Sequence, residues 1–280
     1  MELRLGKHVL STDRSSVMGI LNITPDSFSD GGDFLNFDKA IAHAEAMVAD
    51  GADIIDVGGE STRPGAESVS LQEELDRVIP VIERISKQLA VAVSVDTSKP
   101  DVMRAAVAAG AELVNDVFAL RREGAVEAVA ELNVAVCLMH MQGEPRSMQE
   151  APEYRELLRE IIEFLAARIA VCAAAGIATD KIIVDPGFGF GKNDEHNLQL
   201  LANLERLQEL QRPLLVGLSR KRTLGNLTGK VADQRVFAGV AAAVIAVRGG
   251  ANIVRTHDVA ATVDALKIAD AVNASGQRPD

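Results

Sequence analysis

The chain has 280 residues, a length that a single eight-fold α/β barrel commonly fills. Its residues are 48% hydrophobic but only 3% aromatic, so the core must be aliphatic, which suits buried parallel strands covered by helices. A formal net charge of −11 excludes a nucleic-acid surface and an anionic-membrane binder, both of which need a basic face, so an anionic ligand must meet local cations.

The N-terminal residues Met1 to Lys7 lack the apolar core of a secretory signal, and residues 2–12 have room for a small hairpin. One domain is expected over residues 1–280, with a hairpin in 1–15, a barrel in 16–272 and a tail in 273–280. Val17 to Gly32 then reads as an apolar strand that ends at Asn22 and passes into a polar loop with Pro25 and paired glycines. Further strands are predicted near 53–57, 91–96, 112–116, 134–139, 181–185, 213–217 and 252–256, making eight. Between them, Ser70 and Glu73 have the capping-box spacing of a helix running to about Gln88, and Pro100 suits the first turn of one stopping near Gly110. Leu157, Ile161, Leu165, Ile169 and Cys172 recur at helical intervals and read as a face packed on the barrel.

One local pattern recurs: Gly51-Ala-Asp-Ile-Ile-Asp56, Gly110-Ala-Glu-Leu-Val-Asn115 and Gly250-Ala-Asn-Ile-Val-Arg255. Each glycine suits a helix stop in the left-handed conformation, each strand begins at once, and each delivers a polar residue at the same offset. The unequal intervals are those of repeated βα units, not of a solenoid. The longest aliphatic run, Val240 to Val247, falls far short of the roughly 20 residues of a membrane span. Cys137 and Cys172 lie in apolar segments without a CxxC pairing and read as reduced core thiols of a cytoplasmic protein.

Active sites of βα barrels lie at the C-terminal strand ends. The predicted exits carry Asn22, Asp56, Asp96, Asn115 with Asp116, His140, Asp185, Ser219 to Lys221, and Arg255 with His257. Asp96, Asn115 and Asp185 suit a flat heterocycle with an amidine-like donor edge, where a carboxylate takes two parallel N–H bonds. Arg63, Lys221, Arg255 and His257 are the cations that a phosphorylated or carboxylated substrate requires, and strand alternation would point Arg255 and His257 to one side. Gly187-Phe-Gly-Phe-Gly-Lys192 is not a phosphate loop, because the spacing is one residue short and Asn193 follows the lysine. Its glycines are expected to let backbone approach a ligand beside Asp185, with Phe190 as an apolar face. His8, His43 and His196 read as structural or solvent-facing, and no zinc constellation emerges.

Met18-Gly-Ile-Leu-Asn22, Thr24-Pro-Asp-Ser-Phe-Ser-Asp-Gly-Gly32, Asp56-Val-Gly-Gly-Glu-Ser-Thr-Arg-Pro-Gly65, Ser94-Val-Asp-Thr97, Asn115-Asp116, Asp185-Pro-Gly-Phe-Gly-Phe190, Ser219-Arg-Lys221 and Arg255-Thr-His257 together resemble the motifs of the bacterial dihydropteroate synthase family. The resemblance runs in order from Met18 to about Ala271. It implies a pterin-binding TIM barrel that condenses 6-hydroxymethyl-7,8-dihydropterin diphosphate with p-aminobenzoate, with Mg²⁺ as cofactor, a homodimeric state and sulfonamide recognition. By the same resemblance Thr62, Asp96, Asn115, Asp185, Phe190, Gly217 and Lys221 bind the pterin, and Asn22, Arg255 and His257 hold the diphosphate, Asn22 through the metal. Phe28, Arg63, Pro64, Phe190, Ser219 and Lys221 shape the p-aminobenzoate site, and Asp30 joins Asp96, Asp185 and Lys221 in catalysis. Thr256 departs from the apolar residue that many relatives carry between the arginine and the histidine.

The implied reaction is a dissociative displacement, with carboxylates where positive charge grows on the pterin and cations on the departing diphosphate. Loops 24–37 and 58–70 are expected to close and exclude water. Two other readings fit a pterin pocket: a methyltetrahydrofolate-dependent corrinoid methyltransferase, with less use for Arg63 and the Arg255/His257 pair, and a pterin-binding module without catalysis.

Overall fold

The computed structural model describes residues 2–11, 13–23, 33–61, 69–143, 148 and 152–276, without the side chains of 33–36. Strands β1 (Glu2–Leu5) and β2 (His8–Ser11) form an antiparallel hairpin. Then come β3 (Ser16–Asn22), α1 (Asp33–Ala49), β4 (Ile54–Gly58), α2 (Leu71–Gln88), β5 (Ala92–Asp96), α3 (Pro100–Ala108), β6 (Leu113–Asp116), α4 (Ala125–Leu132) and β7 (Ala135–Met139). The chain continues through α5 (Leu157–Ala174), β8 (Ile182–Asp185), α6 (Asp194–Ala202), β9 (Leu215–Val216), α7 (Arg222–Thr228), α8 (Val236–Arg248), β10 (Ile253–Thr256) and α9 (Val259–Gly276).

The eight strands β3 to β10 pair in parallel in the order β8-β7-β6-β5-β4-β3-β10-β9, and a parallel bridge between Val184 and Leu214 brings the two ends together. The sheet is thus a barrel with the helices outside, as the sequence predicts. Ser70 caps α2 with the expected reciprocal pair: its Oγ accepts from Glu73 N and its own N–H donates to the Glu73 carboxylate. Pro100 opens α3, and Leu157, Ile161, Leu165 and Cys172 are buried along α5. The three repeat glycines, Gly51, Gly110 and Gly250, all have φ near +100°, the conformation that ends a helix and that a side chain resists. Two boundaries differ from the sequence reading. Helix α1 begins at Asp33, inside the loop expected to reach 37, and α9 runs to Gly276, beyond the expected end at 272.

Alternation divides the strand residues between two cores. Outward-facing residues such as Val57, Val95 and Val136 pack against the helices. Inward-facing Met18, Ile54, Leu113, Ile183, Leu215 and Ile253 form a second cluster with Leu3, Leu5 and Leu10 of the hairpin. The hairpin therefore plugs the N-terminal end of the barrel. It is tied there by Glu112, which accepts from Lys7 N at 3.0 Å and pairs with His8 Nδ1 at 2.6 Å. Closing one end with apolar side chains leaves the other for ligands.

Candidate active site

Toward the C-terminal ends of the strands the barrel interior turns from aliphatic to largely polar, as Ile54 gives way to Asp56, Leu113 to Asn115, Ile183 to Asp185 and Ile253 to Arg255. A cleft of about 710 Å³ opens there, lined among others by Asn22, Asp96, Asn115, Asp185, Lys221 and Arg255. Phe190, Gly217, Ser219 and His257 line it as well. Asp30, Phe28, Thr62, Arg63 and Pro64, assigned above from the resemblance, lie outside the described residues.

On one wall, Arg255 donates from Nε to Asp56 Oδ2 at 2.6 Å and from Nη2 to Asp96 Oδ2 at 2.8 Å. Asn115 Nδ2 donates to the same Asp56 oxygen at 3.1 Å. Burial opposes the charge on Arg255, but the two carboxylates outweigh it and hold its pKa above the ordinary value. Burial pushes Asp96 up to about 7, against the pull of Arg255. A methyl group placed on Gly58 would meet Asp96 Cβ at 3.4 Å and Asn22 Oδ1 at 3.7 Å, so these two side chains converge over a residue with none.

The opposite wall is Asp185 with Lys221. Burial raises Asp185 to about 6, although its Oδ1 accepts from Gly187 N at 2.7 Å. Burial also lowers Lys221 to about 8, partly offset by Asp185. The Lys221 ammonium stands 4.2 Å from the centre of the Phe190 ring, a cation–π contact that turns the ring toward the cleft. At the rim, Ser219 Oγ lies 3.0 Å from His257 Nδ1 and accepts from His257 N at 3.2 Å. Strand β10 ends at Thr256, yet Arg255 and His257 both reach the cleft while Thr256 is buried between them. Its hydroxyl takes a bond from Thr262, which gives this departure from an apolar residue a partner.

Three predicted exits do not face the cleft. Asp116 is fully buried on the far side of β6, where it accepts from Ser98 Oγ and the N–H groups of Phe118 and Leu120 and shapes the turn into α4. His140 is buried against Lys192 and the Phe164 ring, and burial drives its pKa down to about 2. Asp56 sits one layer below the mouth and is wholly enclosed. Gly187 and Gly189 of the glycine-rich turn line the cleft, and two of its glycines also let protein backbone approach closely. A methyl on Gly187, at φ +68°, would fall 1.9 Å from His140 O, and one on Gly191 would fall 2.4 Å from Gln142 O.

Lys192 is the residue that the sequence reading passed over. It is 1% exposed, and its ammonium lies 2.9 Å from His140 Nδ1 while donating to the carbonyls of Gly187 and Phe190 at 3.0 and 3.1 Å. Burial lowers its pKa to about 7. It thus folds the β8–α6 turn around a cation and fixes Phe190. The sequence signal was a lysine closing a run of three glycines that failed the phosphate-loop test.

Comparison with known proteins gives concordant results. The family described as "Pterin binding enzyme" matches residues 18–257. A dihydropteroate synthase of Escherichia coli K12 is 51% identical over 262 residues, covering 94% of this chain and 93% of that protein. The crystal structure of Yersinia pestis dihydropteroate synthase with a sulfonamide drug complex has a TM-score of 0.94 and 52% identity, covering 98% of this chain and all of that one. Dihydropteroate synthase from Xanthomonas albilineans in complex with 7,8-dihydropteroate has a TM-score of 0.90 and 50% identity over both full chains.

Proposed function

The chain belongs to the dihydropteroate synthases of the pterin-binding enzyme family, transferases that join 6-hydroxymethyl-7,8-dihydropterin diphosphate to p-aminobenzoate, and we propose that it does so by dissociative displacement. The observation that carries this mechanism is that both walls of one cleft set a buried carboxylate against a cation, Asp96 against Arg255 and Asp185 against Lys221.

Asp96, Asn115 and Asp185 take the donor edge of the pterin, and Lys221 lies against them. Arg255 is already paired with Asp96, so an arriving pterin N–H competes for an occupied carboxylate oxygen and leaves the guanidinium available toward the diphosphate. The bond from the exocyclic carbon to the diphosphate oxygen breaks with its electron pair going to oxygen. The carbon cation that remains is shared by the electron-rich ring, and the buried carboxylates lie where that charge develops. The p-aminobenzoate nitrogen then gives its electron pair to form the new C–N bond, and its surplus proton passes to water or the released diphosphate. Phe190, fixed over Lys221, offers that ring an apolar face, and Ser219 and Lys221 offer its carboxylate donors.

The donor chemistry fits Mg²⁺ brought in on the diphosphate. Asn22 supplies one neutral oxygen at the mouth, and among the described residues no group of three His, Cys, Asp or Glu is placed to hold a metal alone. Asn22 would be the protein's ligand, and the ion would neutralise charge on the leaving oxygens. Turnover in excess EDTA is expected to vanish and to return with added Mg²⁺.

A homodimer is part of the same proposal. Helices α8 and α9 pack side by side and leave Phe237, Ile245, Ile268 and Val272 exposed, Phe237 to 89%. A second copy of the chain is the occupant proposed for this face, and Phe237→Asp should shift the sedimenting species from dimer to monomer. Among the described residues no helix is long and apolar enough to cross a membrane.

The deciding experiment is diphosphate release coupled to a colour reaction, with and without p-aminobenzoate. Release that requires p-aminobenzoate and yields 7,8-dihydropteroate is expected. Methyl transfer to cobalamin, or pterin binding with no release, would overturn the assignment in favour of the two other readings.

A further inference from the structure

Two buried aspartates, Asp56 on β4 and Asp116 on β6, are held in opposite ways. Asp116 is satisfied locally: Oδ1 accepts from Ser98 Oγ at 2.5 Å and Phe118 N at 2.9 Å, and Oδ2 from Leu120 N at 2.7 Å. Such a carboxylate builds a turn. Asp56 has no such local support. Its two donors come from the side chains of Asn115 and Arg255, far away in sequence, and both converge on Oδ2. Asp56 Oδ1 is buried with no hydrogen-bond partner among the described residues, and so is Oγ of Ser94, its register partner on β5.

Both groups that Asp56 holds line the cleft, whereas Asp56 itself is 0% exposed and does not. By taking Nδ2 of Asn115, it leaves the Asn115 oxygen to face a ligand as an acceptor. By taking Nε of Arg255, it fixes the root of the guanidinium while the outer nitrogens remain able to change partners. Resting on the function given above, we propose that Asp56 is a positioning residue that sets the pterin-reading amide of Asn115 and the diphosphate-facing guanidinium of Arg255 from one oxygen beneath the floor. A buried carboxylate placed only for stability would be expected to satisfy both of its oxygens, as Asp116 does. Asp56 instead ties the two halves of one substrate's site to a common point.

The test uses the full chain, beginning with wild-type diphosphate release in the presence of p-aminobenzoate. No release would remove the functional reading and the proposal with it; every later failure touches the proposal alone. Asp56→Ala should lower kcat/KM for the pterin diphosphate roughly 10- to 100-fold while KM for p-aminobenzoate moves less than about two-fold. Asp56→Asn keeps an acceptor oxygen and should recover most of that loss. In an Arg255→Ala background the further loss from Asp56→Ala should shrink, because one of the side chains through which Asp56 acts is gone. Equal damage from Ala and Asn, equal effects on both substrates, or a full further loss in the Arg255→Ala background would each overturn the role. If Asp56→Ala does not fold, the wild type still decides. The Arg255 Nε–H resonance, assigned by its disappearance in Arg255→Lys, should stay protected from exchange when pterin diphosphate is added. Loss of that protection means that the guanidinium leaves Asp56, and the proposal fails.

Discussion

The two ends of the barrel interior are built by the same strands and the same alternation, yet they are chemically opposite. At the N-terminal end, Met18, Ile54, Leu113 and Ile253 meet the hairpin leucines in a core free of charge. Two residues further along their strands, Asp56, Asn115 and Arg255 replace Ile54, Leu113 and Ile253, and the enclosed groups there are polar or charged. The lower layer gains stability from apolar burial. The upper layer gives some of it up, because each enclosed charge resists desolvation: Asp96 and Asp185 are pushed up, and Lys192 and Lys221 are pushed down. Stability and chemistry are thus separated by about 7 Å of strand.

Substitutions that act on only one layer test this division. The largest effect is expected from Ile54→Ala, which opens a cavity in the fully buried lower layer and should cost about 2–5 kcal/mol in denaturant unfolding. The values of kcat/KM should stay within about two-fold of wild type under folding conditions. A large loss of activity at unchanged stability would break the comparison.

Asp185→Asn is the converse. It keeps an oxygen for Gly187 N but removes a buried charge, so kcat/KM should fall about 100-fold with stability at neutral pH unchanged or improved. Thermal melting alongside steady-state kinetics checks both halves.

The pH dependence of stability sharpens the same contrast. Since the Asp185 carboxyl is raised to about 6 by burial, the native state keeps its proton where the unfolded chain has lost it. Its stabilising contribution is therefore complete below about pH 4 and is lost as pH rises through about 6. The difference in unfolding free energy between wild type and Asp185→Asn should decline by on the order of 2–3 kcal/mol across that window, measured by urea titration. Ile54→Ala should show no such slope.

The smallest effect belongs to neither layer. Arg104 and Glu131 pair on the exposed helical surface at 3.1 Å, and Arg104→Ala should change stability by about 0.5 kcal/mol or less and leave kinetics alone.

Much of this architecture was legible in the chain itself. The aliphatic runs, the Ser70–Glu73 cap, the Pro100 start and the three Gly-Ala repeats each obey a local rule, so strands and helices lie where the residues put them. The polar residues at strand exits were equally visible, because a carboxylate at the end of an aliphatic run stands out. What the exits do was less so. Asp116 and His140 read like Asp96 and Asp185, but the direction in which a side chain leaves its strand depends on where the pleat falls relative to the barrel axis.

The sequence by itself determined the eight βα units, the closed aliphatic core and the polar residues that stand at the strand exits. Only the tertiary structure decided which of them act together. Asp56 and Arg255 stand 199 positions apart, and closure of the barrel brings their side chains to 2.6 Å. Lys192 became a buried cation because the turn wraps it in carbonyls and a neutral histidine. Local propensity is a property of neighbours along the chain, whereas desolvation and ion pairing depend on neighbours in space, and those exist only once the barrel has closed.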